Sequence, residues 1–126
     1  MSAKPQPATD PASALVKALA DRDFWGLVGI LAPEVRMRAL VPSGPVELNG
    51  AEAAAARYAA WFGGATNLEL VHAGCDEVGD RLHVFYRLRV DRAGDPTRIV
   101  EQHLFCALDA GRITALDLVC SGFRPE

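Results

Sequence analysis

"RIVEQHLFCALDAGRITALDLVCSGF", residues 98–123, reads as two β-strands folded back on each other about the turn "DAG" at 109–111. The polar interruptions inside its first strand are consecutive: Glu101, Gln102 and His103. Neighbouring residues of a strand point to opposite faces, so Gln102 faces one side and Glu101 and His103 the other. An inward acid and imidazole would equip the interior for acid/base chemistry. An inward amide would leave it nearly devoid of proton-transfer groups.

The preceding strand, from Arg81, resolves the choice. Its even positions Leu82, Val84, Tyr86, Leu88 and Val90 are apolar, while Arg81, His83, Arg87 and Arg89 occupy odd positions together with Phe85. The even face is the core face. A five-residue loop "RAGDP" pairs position 91 with 97, setting Tyr86 opposite Gln102 and Arg87 opposite Glu101. Gln102 therefore turns inward and Glu101 outward.

A three-residue "DAG" loop pairs 108 with 112, and so predicts His103 opposite Asp117 and Gln102 opposite Leu118. Val100, Gln102, Leu104, Cys106 and Leu108 then share the core face with Leu116, Leu118 and Cys120. Outside, Glu101, His103, Arg87 and Asp117 form a ladder of charge. Cross-strand pairs of this kind contribute only ~0.2–1 kcal/mol each. A one-residue slip would invert every one of these assignments. In the same register Cys106 faces Thr114, roughly 20 Å from Cys120 at ~3.3 Å per residue, too far for a disulfide. His72 stays open: a three-residue loop at Val78–Asp80 turns it inward opposite Tyr86, a two-residue loop turns it out.

Upstream, Asp10 before Pro11 is a helix start, since the carboxylate accepts from free backbone N–H groups and proline suits the first turn. "PASALVKALA" places Leu15, Ala18 and Leu19 on one face. A second helix is expected from Asp21 or Asp23 through "FWGLVGILA", with Phe24, Leu27, Val28 and Leu31 as its buried stripe and Pro33 as its stop. "EVRMRALV" alternates as a half-buried strand carrying Val35, Met37, Ala39 and Val41 on one face, and "PSGP" is a turn. Asn49 and Glu52 have capping-box spacing before the alanine-rich helix "GAEAAAARYAAWF", which Gly63-Gly64 stops. From Asn67 the chain is β, in four strands at roughly 67–77, 81–91, 97–108 and 112–121. The fold class expected is α+β: a curved antiparallel sheet wrapped around helices, in a cone-like roll, with three helices in the N-terminal half.

The bulk numbers fit one domain, residues 11–126, behind a loose tail at 1–10. The 126 residues include 13 basic and 16 acidic ones, a net charge of −3 with no basic patch, so nucleic acid is not an expected partner. The longest charge-free run is the 11 residues Tyr58–Leu68, short of the ~20 a membrane span needs. "MSAKPQPATDP" shows no signal-peptide core, and a cytoplasmic location is expected. Cys75, Cys106 and Cys120 are read as reduced thiols. His72 and His83 lack a third ligand at metal spacing, and nothing resembles a phosphate loop, a nucleophile elbow or a dinucleotide fingerprint. Neither metal nor cofactor is expected.

The element order, the opening "ALADRDFWGLVGILAPEVRM", the helix "NGAEAAAARYAAWF" and the closing "HLFCALDAGRITALDLV" together resemble the SnoaL-like domains of the nuclear-transport-factor-2-like superfamily, over residues 12 to 122. The resemblance implies a cone-shaped cavity between bent sheet and helices. It also implies one of several activities, among them steroid isomerisation, polyketide cyclisation and epoxide hydrolysis, or ligand binding and assembly without catalysis. The residues that carry steroid isomerisation correspond to Leu15, Ala39 and Gln102, and those of the epoxide hydrolases to Gln102, Leu104 and roughly Ser121. Neither set is present. A cyclase-type acid or base has only Asp117 or His103 to stand for it, and both are expected outside.

The expected function is binding of a small apolar or aromatic molecule in the cone, with cofactor-free cyclase or isomerase chemistry of specialised metabolism as its catalytic form. The alternative is a non-catalytic binding or dimeric assembly module. Gln102, Tyr86 and His72 are the catalytic candidates. Tyr58, Trp61, Tyr86, Gln102, Met37, Leu104, Cys106 and Leu118 are the candidate ligand-binding residues. Gln102 and Tyr86 are expected either to satisfy each other or to grip one ligand oxygen together. The outer sheet face, with His83, Phe85, Arg87, Glu101, His103 and Asp117, suits a homodimer contact.

Overall fold

The structure is a computed structural model that describes residues 10–126. The proposed N-terminal tail, apart from Asp10, lies outside the described residues. Helix α1, Pro11–Ala20, begins where expected: Asp10 accepts from the Ser13 backbone N–H at 2.8 Å and proline opens the first turn. It buries Ala12, Leu15, Ala18 and Leu19.

The second helix is shorter than expected. Asp23 caps it through the Gly26 N–H, but the segment is a 3₁₀ helix, Phe24–Gly29. Gly26 and Gly29 each lower helix stability by about 1 kcal/mol relative to alanine. Strand β1, Leu31–Val41, starts two residues before Pro33, so proline does not end the helix but sits inside the strand, at a register irregularity between Leu31 and Arg36. Phe24, Leu27 and Leu31 nonetheless all reach the core.

"PSGP" is a turn only in part. Pro42 and Ser43 close a two-residue loop, and Gly44–Asn49 forms β2, antiparallel to β1 with Arg36 opposite Asn49. The strand lies at the sheet edge, the one place where Pro45 costs no ladder hydrogen bond. The capping box does not form. Gly50 takes the cap position of α2, Ala51–Phe62, at φ 102°, and spends its N–H on the Val35 carbonyl at 2.8 Å. A residue with a Cβ would be strained in that conformation.

Strands β3 (Asn67–Val78), β4 (Arg81–Asp91), β5 (Arg98–Asp109) and β6 (Arg112–Cys120) form the expected meander. The sheet order is β2-β1-β6-β5-β4-β3, and β1 lies parallel to β6, so the sheet is mixed. A short last strand β7, Arg124–Pro125, adds to β5 beside Ile99.

Between β4 and β5 the register is as expected: Tyr86 faces Gln102 and Arg87 faces Glu101. Between β5 and β6 it differs by two residues. The loop is one residue shorter, with Asp109 opposite Arg112, and a bulge at Ala107/Leu108 shifts the pairing by one more, so that Gln102 faces Cys120 and His103 faces Val119. Two single steps preserve parity. Cys106 faces Leu116 rather than Thr114, which leaves it about 13 Å from Cys120 at ~3.3 Å per residue. All three thiols are free.

The helices cover one face of this sheet and the core lies between them. Leu15, Leu27, Met37, Leu88, Leu104 and Leu116 are among its fully buried side chains, each contributing about 1.5–3 kcal/mol of transfer free energy. No helix among the described residues is long and apolar enough to cross a membrane.

Candidate functional site

Gln102 is the one buried polar or charged residue among the described residues, at 1% exposure. Three strands and one helix converge on it. Tyr86, opposite it on β4, donates its hydroxyl proton to Gln102 Oε1 at 2.5 Å. Tyr58, in the last two turns of α2, meets the Tyr86 hydroxyl at 3.2 Å. Gln102 Nε2 in turn donates to Cys120 Sγ on β6 at 3.3 Å. Burial pushes both phenols above their ordinary range, which favours the protonated hydroxyl.

The amide end of this chain borders a cavity of about 410 Å³ at the open end of the cone. Its walls are Val41, Pro42, Ser43, Trp61, Gln102, Cys120, Gly122 and Phe123. None of these is an acid or a base of the Asp, Glu, His, Lys or Arg type. Trp61 stands edge-on to Tyr58 with ring centroids 5.4 Å apart.

A C-terminal strap forms the opposite wall. Phe123 packs edge-on against Phe62 at 6.1 Å, and the Arg92 guanidinium lies 4.6 Å from its ring centroid, a cation–π contact. Arg92 also donates to the Trp61 carbonyl, fixing the end of α2 to the β4–β5 loop. The strap is held further by β7 and by Glu126, which pairs with Arg89 at 2.7 Å.

The candidate residues thus divide by depth. Trp61 and Gln102 line the cavity. Tyr58 and Tyr86 lie one layer behind, linked to it through Gln102. Met37, Leu104, Cys106 and Leu118 are packed in the core at 2% exposure or less, and burial pushes the Cys106 thiol up to about 12. His72 is on the outer face: a two-residue β3–β4 turn pairs it with Arg87, and its ring leans on Phe85. Phe123, Pro42 and Ser43 were not singled out in the sequence. They lie in the turn after β1 and the segment after β6, where alternation gives no direction. The adjacent pair Gly122-Phe123 was the available signal.

The outer face carries a continuous polar network. His83 bonds Asp76 through Nδ1 and His103 through Nε2, both at 2.9 Å, and His103 Nε2 reaches Glu101 at 2.8 Å. Arg87 completes it with two bonds to Glu101. Hydrogen bonds from His103 and then Arg87 hold the Glu101 carboxyl below its usual value. His83 stacks on Phe85 and Phe105. Asp117 is not the partner of His103. It faces Phe105 and bonds Arg38 at 2.8 Å, which lowers its carboxyl. A shallow depression of about 550 Å³ adjoins this face, but Arg87 and Arg89 there are already paired with carboxylates.

The sequence pattern of the SnoaL-like domain matches residues 12–116, from α1 through most of β6. The chain belongs to the SnoaL-like domain family. No curated protein matches it. Among solved structures it is similar to a protein of ketosteroid isomerase-like fold from Catenulispora acidiphila in complex with trimethylamine, at 15% identity and TM-score 0.71, over 90% of this chain and 85% of that one. A candidate polyketide cyclase from Xanthomonas campestris pv. campestris shares 18% identity at TM-score 0.68, over 86% of each chain. A candidate SnoaL-like polyketide cyclase from Jannaschia sp. CCS1 shares 19% identity at TM-score 0.64, over 95% and 92%. At such identities the likeness establishes the cone fold. Within this SnoaL-like domain the interior positions 15, 39 and 102 carry Leu, Ala and Gln, all buried and none ionisable.

Proposed function

We propose that this SnoaL-like domain binds an uncharged, planar, largely apolar small molecule at the mouth of its cone, between Trp61 and Phe123, with one polar atom of the ligand against Gln102. The observation that carries this reading is the lining itself: two aromatic side chains and one buried amide around about 410 Å³, without a charged group. Apolar concave sites with one or two placed polar groups are the common form of small-molecule pocket. A charged ligand would lose its hydration there without compensation.

Chemistry at such a site works through hydrogen-bond donation to a carbonyl oxygen as negative charge develops on it. The family's cyclase and isomerase reactions are compatible with that mode only where the substrate's own acidity makes a strong protein base unnecessary.

A direct test is nuclear magnetic resonance titration with 2-acetylnaphthalene, following the two tryptophan indole signals and the Gln102 amide. Saturable shifts at Trp61 and Gln102 are expected, while Trp25, 60% exposed and outside the cavity, serves as internal control. Equal, non-saturating shifts at both tryptophans would refute a site at the mouth.

The outer sheet face supports a second reading, as the contact of a homodimer. Leu40, Val71 and Val119 are apolar and 41–56% exposed there, beside half-buried Phe85 and Phe105. Two arginines of this face are paired in place, Arg87 with Glu101 and Arg38 with Asp117, which lowers the unpaired charge a second copy would meet.

A further inference from the structure

Beside the mouth cavity, the open end of the cone holds a smaller pocket built around two arginines. Val90, Arg92, Asp95, Pro96, Arg98 and Phe123 line about 190 Å³ there. Arg98, the first residue of β5, is paired with Val90 of β4 and with Pro125 of β7. Directly opposed residues of adjacent strands point to one face, and Val90 is buried in the core. Arg98 therefore turns to the core side of the sheet, at its open end. Arg92 comes from the loop after β4, and its guanidinium lies 4.6 Å from the centroid of the Phe123 ring. Both arginines are half-buried.

On the outer face, Arg38, Arg87 and Arg89 each meet a carboxylate at 2.7–2.9 Å. Arg92 and Arg98 meet none among the described residues. Arg92 gives one of its five N–H donors to the Trp61 carbonyl, while its Nε–H is buried without an acceptor. A buried donor left unpaired is costly, and a guanidinium partly withdrawn from water calls for a counter-charge. One oxyanion in this pocket supplies both.

The lining also says which oxyanion. Two guanidinium groups stand against one carboxylate, Asp95, so the wall carries one net positive charge. A monoanion balances it, whereas a second negative charge would face Asp95 uncompensated. Val90, Pro96 and Phe123 complete the wall with apolar surface, and a planar carboxylate matches the fork of a guanidinium. We propose that this pocket binds a small aliphatic monocarboxylate, Arg92 and Arg98 holding the charge and Val90, Pro96 and Phe123 the hydrocarbon part. The site is separate from the uncharged mouth cavity, with which it shares only the wall formed by Phe123.

The experiment titrates the full chain at constant ionic strength with isobutyrate and with isobutyramide, its uncharged counterpart, following the backbone amide signals of Arg92, Arg98 and Phe123. Saturable shifts are expected with isobutyrate, at roughly tenfold higher affinity than with the amide, the difference between a charge-assisted and a neutral hydrogen bond. Arg98→Gln is expected to lower isobutyrate affinity roughly tenfold and to leave isobutyramide unchanged; a loss of packing alone would weaken both. Arg98→Lys, which keeps the charge without the fork, is expected to fall between the two. Should the variants fail to fold, the wild-type comparison of acid with amide decides. Inorganic phosphate, which adds a second charge at neutral pH, is expected to bind more weakly than isobutyrate. Phosphate binding as tightly as isobutyrate overturns the monocarboxylate assignment. Shifts that grow linearly with either compound, or equally with chloride, overturn the site itself. 2-Acetylnaphthalene binding read at Trp61 in the same samples tests the mouth cavity independently.

Discussion

Gln102 and His103 are consecutive residues of β5 that serve opposite sides of the sheet. The amide is 1% exposed and ends a chain of buried phenols, while the imidazole joins His83 and Glu101 on the outer face. One peptide bond separates the interior, nearly without ionisable groups, from the outer face with its charged network. The two residues should therefore be separable by mutation. Gln102→Leu removes the acceptor of the Tyr86 proton and is expected to lower stability by about 1–3 kcal/mol in urea unfolding and to weaken ketone binding. His103→Gln is expected to leave ketone affinity within about twofold of wild type. A larger loss from His103→Gln would place the imidazole in contact with the ligand.

The strap at the mouth supplies a second expectation. Gly122 has φ 80° and a built Cβ would approach Pro42 Cγ at 2.6 Å, so both backbone and space favour glycine there. Gly122→Ala is expected to displace Phe123 from Phe62 and Arg92 and to change the rate of ligand exchange more than global stability. Line-shape analysis of the Trp61 indole signal during titration measures this. Unchanged exchange with unchanged affinity would separate the strap from the site.

Acid should act on the outer face first. Glu101 and Asp117 both have folded-state carboxyls lowered below their ordinary values of 4.5 and 3.8, by His103 and by Arg38 respectively. A lowered carboxyl gives stability that is present above the ordinary value and lost as pH falls through the folded one. Stability in urea is therefore expected to be flat near neutrality and to decline below about pH 4.5, the upper of these two values. Glu101→Gln should flatten part of that decline, with only a small effect at pH 7, as for other exposed pairs. An unchanged acid slope in the variant would show that Glu101 does not contribute to it.

The three cysteines should react in order of exposure. Cys75 is exposed, Cys120 half-buried at the cavity and Cys106 buried with its thiol pushed up to about 12. Thiolate is the reacting form. Alkylation followed by mass spectrometry is expected to label Cys75 first, Cys120 more slowly and Cys106 only with unfolding. 2-Acetylnaphthalene should protect Cys120 and leave Cys75 unchanged. Early labelling of Cys106 would mean that the cone opens in the native state.

The fold and the parity of the site were legible from alternation, because apolar residues at even positions of β4 and β5 leave one way for each strand to face. Register was legible only to within two residues. The β5–β6 loop is shorter by one and the bulge at Ala107/Leu108 adds one; neither has a signature in residue type, and only because both occur do Leu116, Leu118 and Cys120 share the face of Gln102. β2 was hidden by Pro42, Gly44 and Pro45, which read as punctuation until an edge position makes Pro45 acceptable. The depth of the site was not legible at all. Whether a buried side chain touches packed atoms or empty space depends on how α2 and the strap seat, and that is a property of packing across elements far apart in sequence.

Val119 and Leu40 face each other on the outer surface, at 49% and 56% exposure, midway between the His103 network and the Arg38–Asp117 pair. An apolar patch bordered by neutralised charge is favourable for self-association because little must be desolvated unpaired. Sedimentation at tens of micromolar protein is expected to show a dimer for the wild type. Val119→Glu would place an unpaired carboxylate in the contact and is expected to give a monomer of nearly unchanged stability, since a half-exposed strand residue contributes little to folding. A wild type that stays monomeric through that range would rule out the outer-face contact without touching the cavity, because Val119 and Gln102 lie on opposite faces of the sheet.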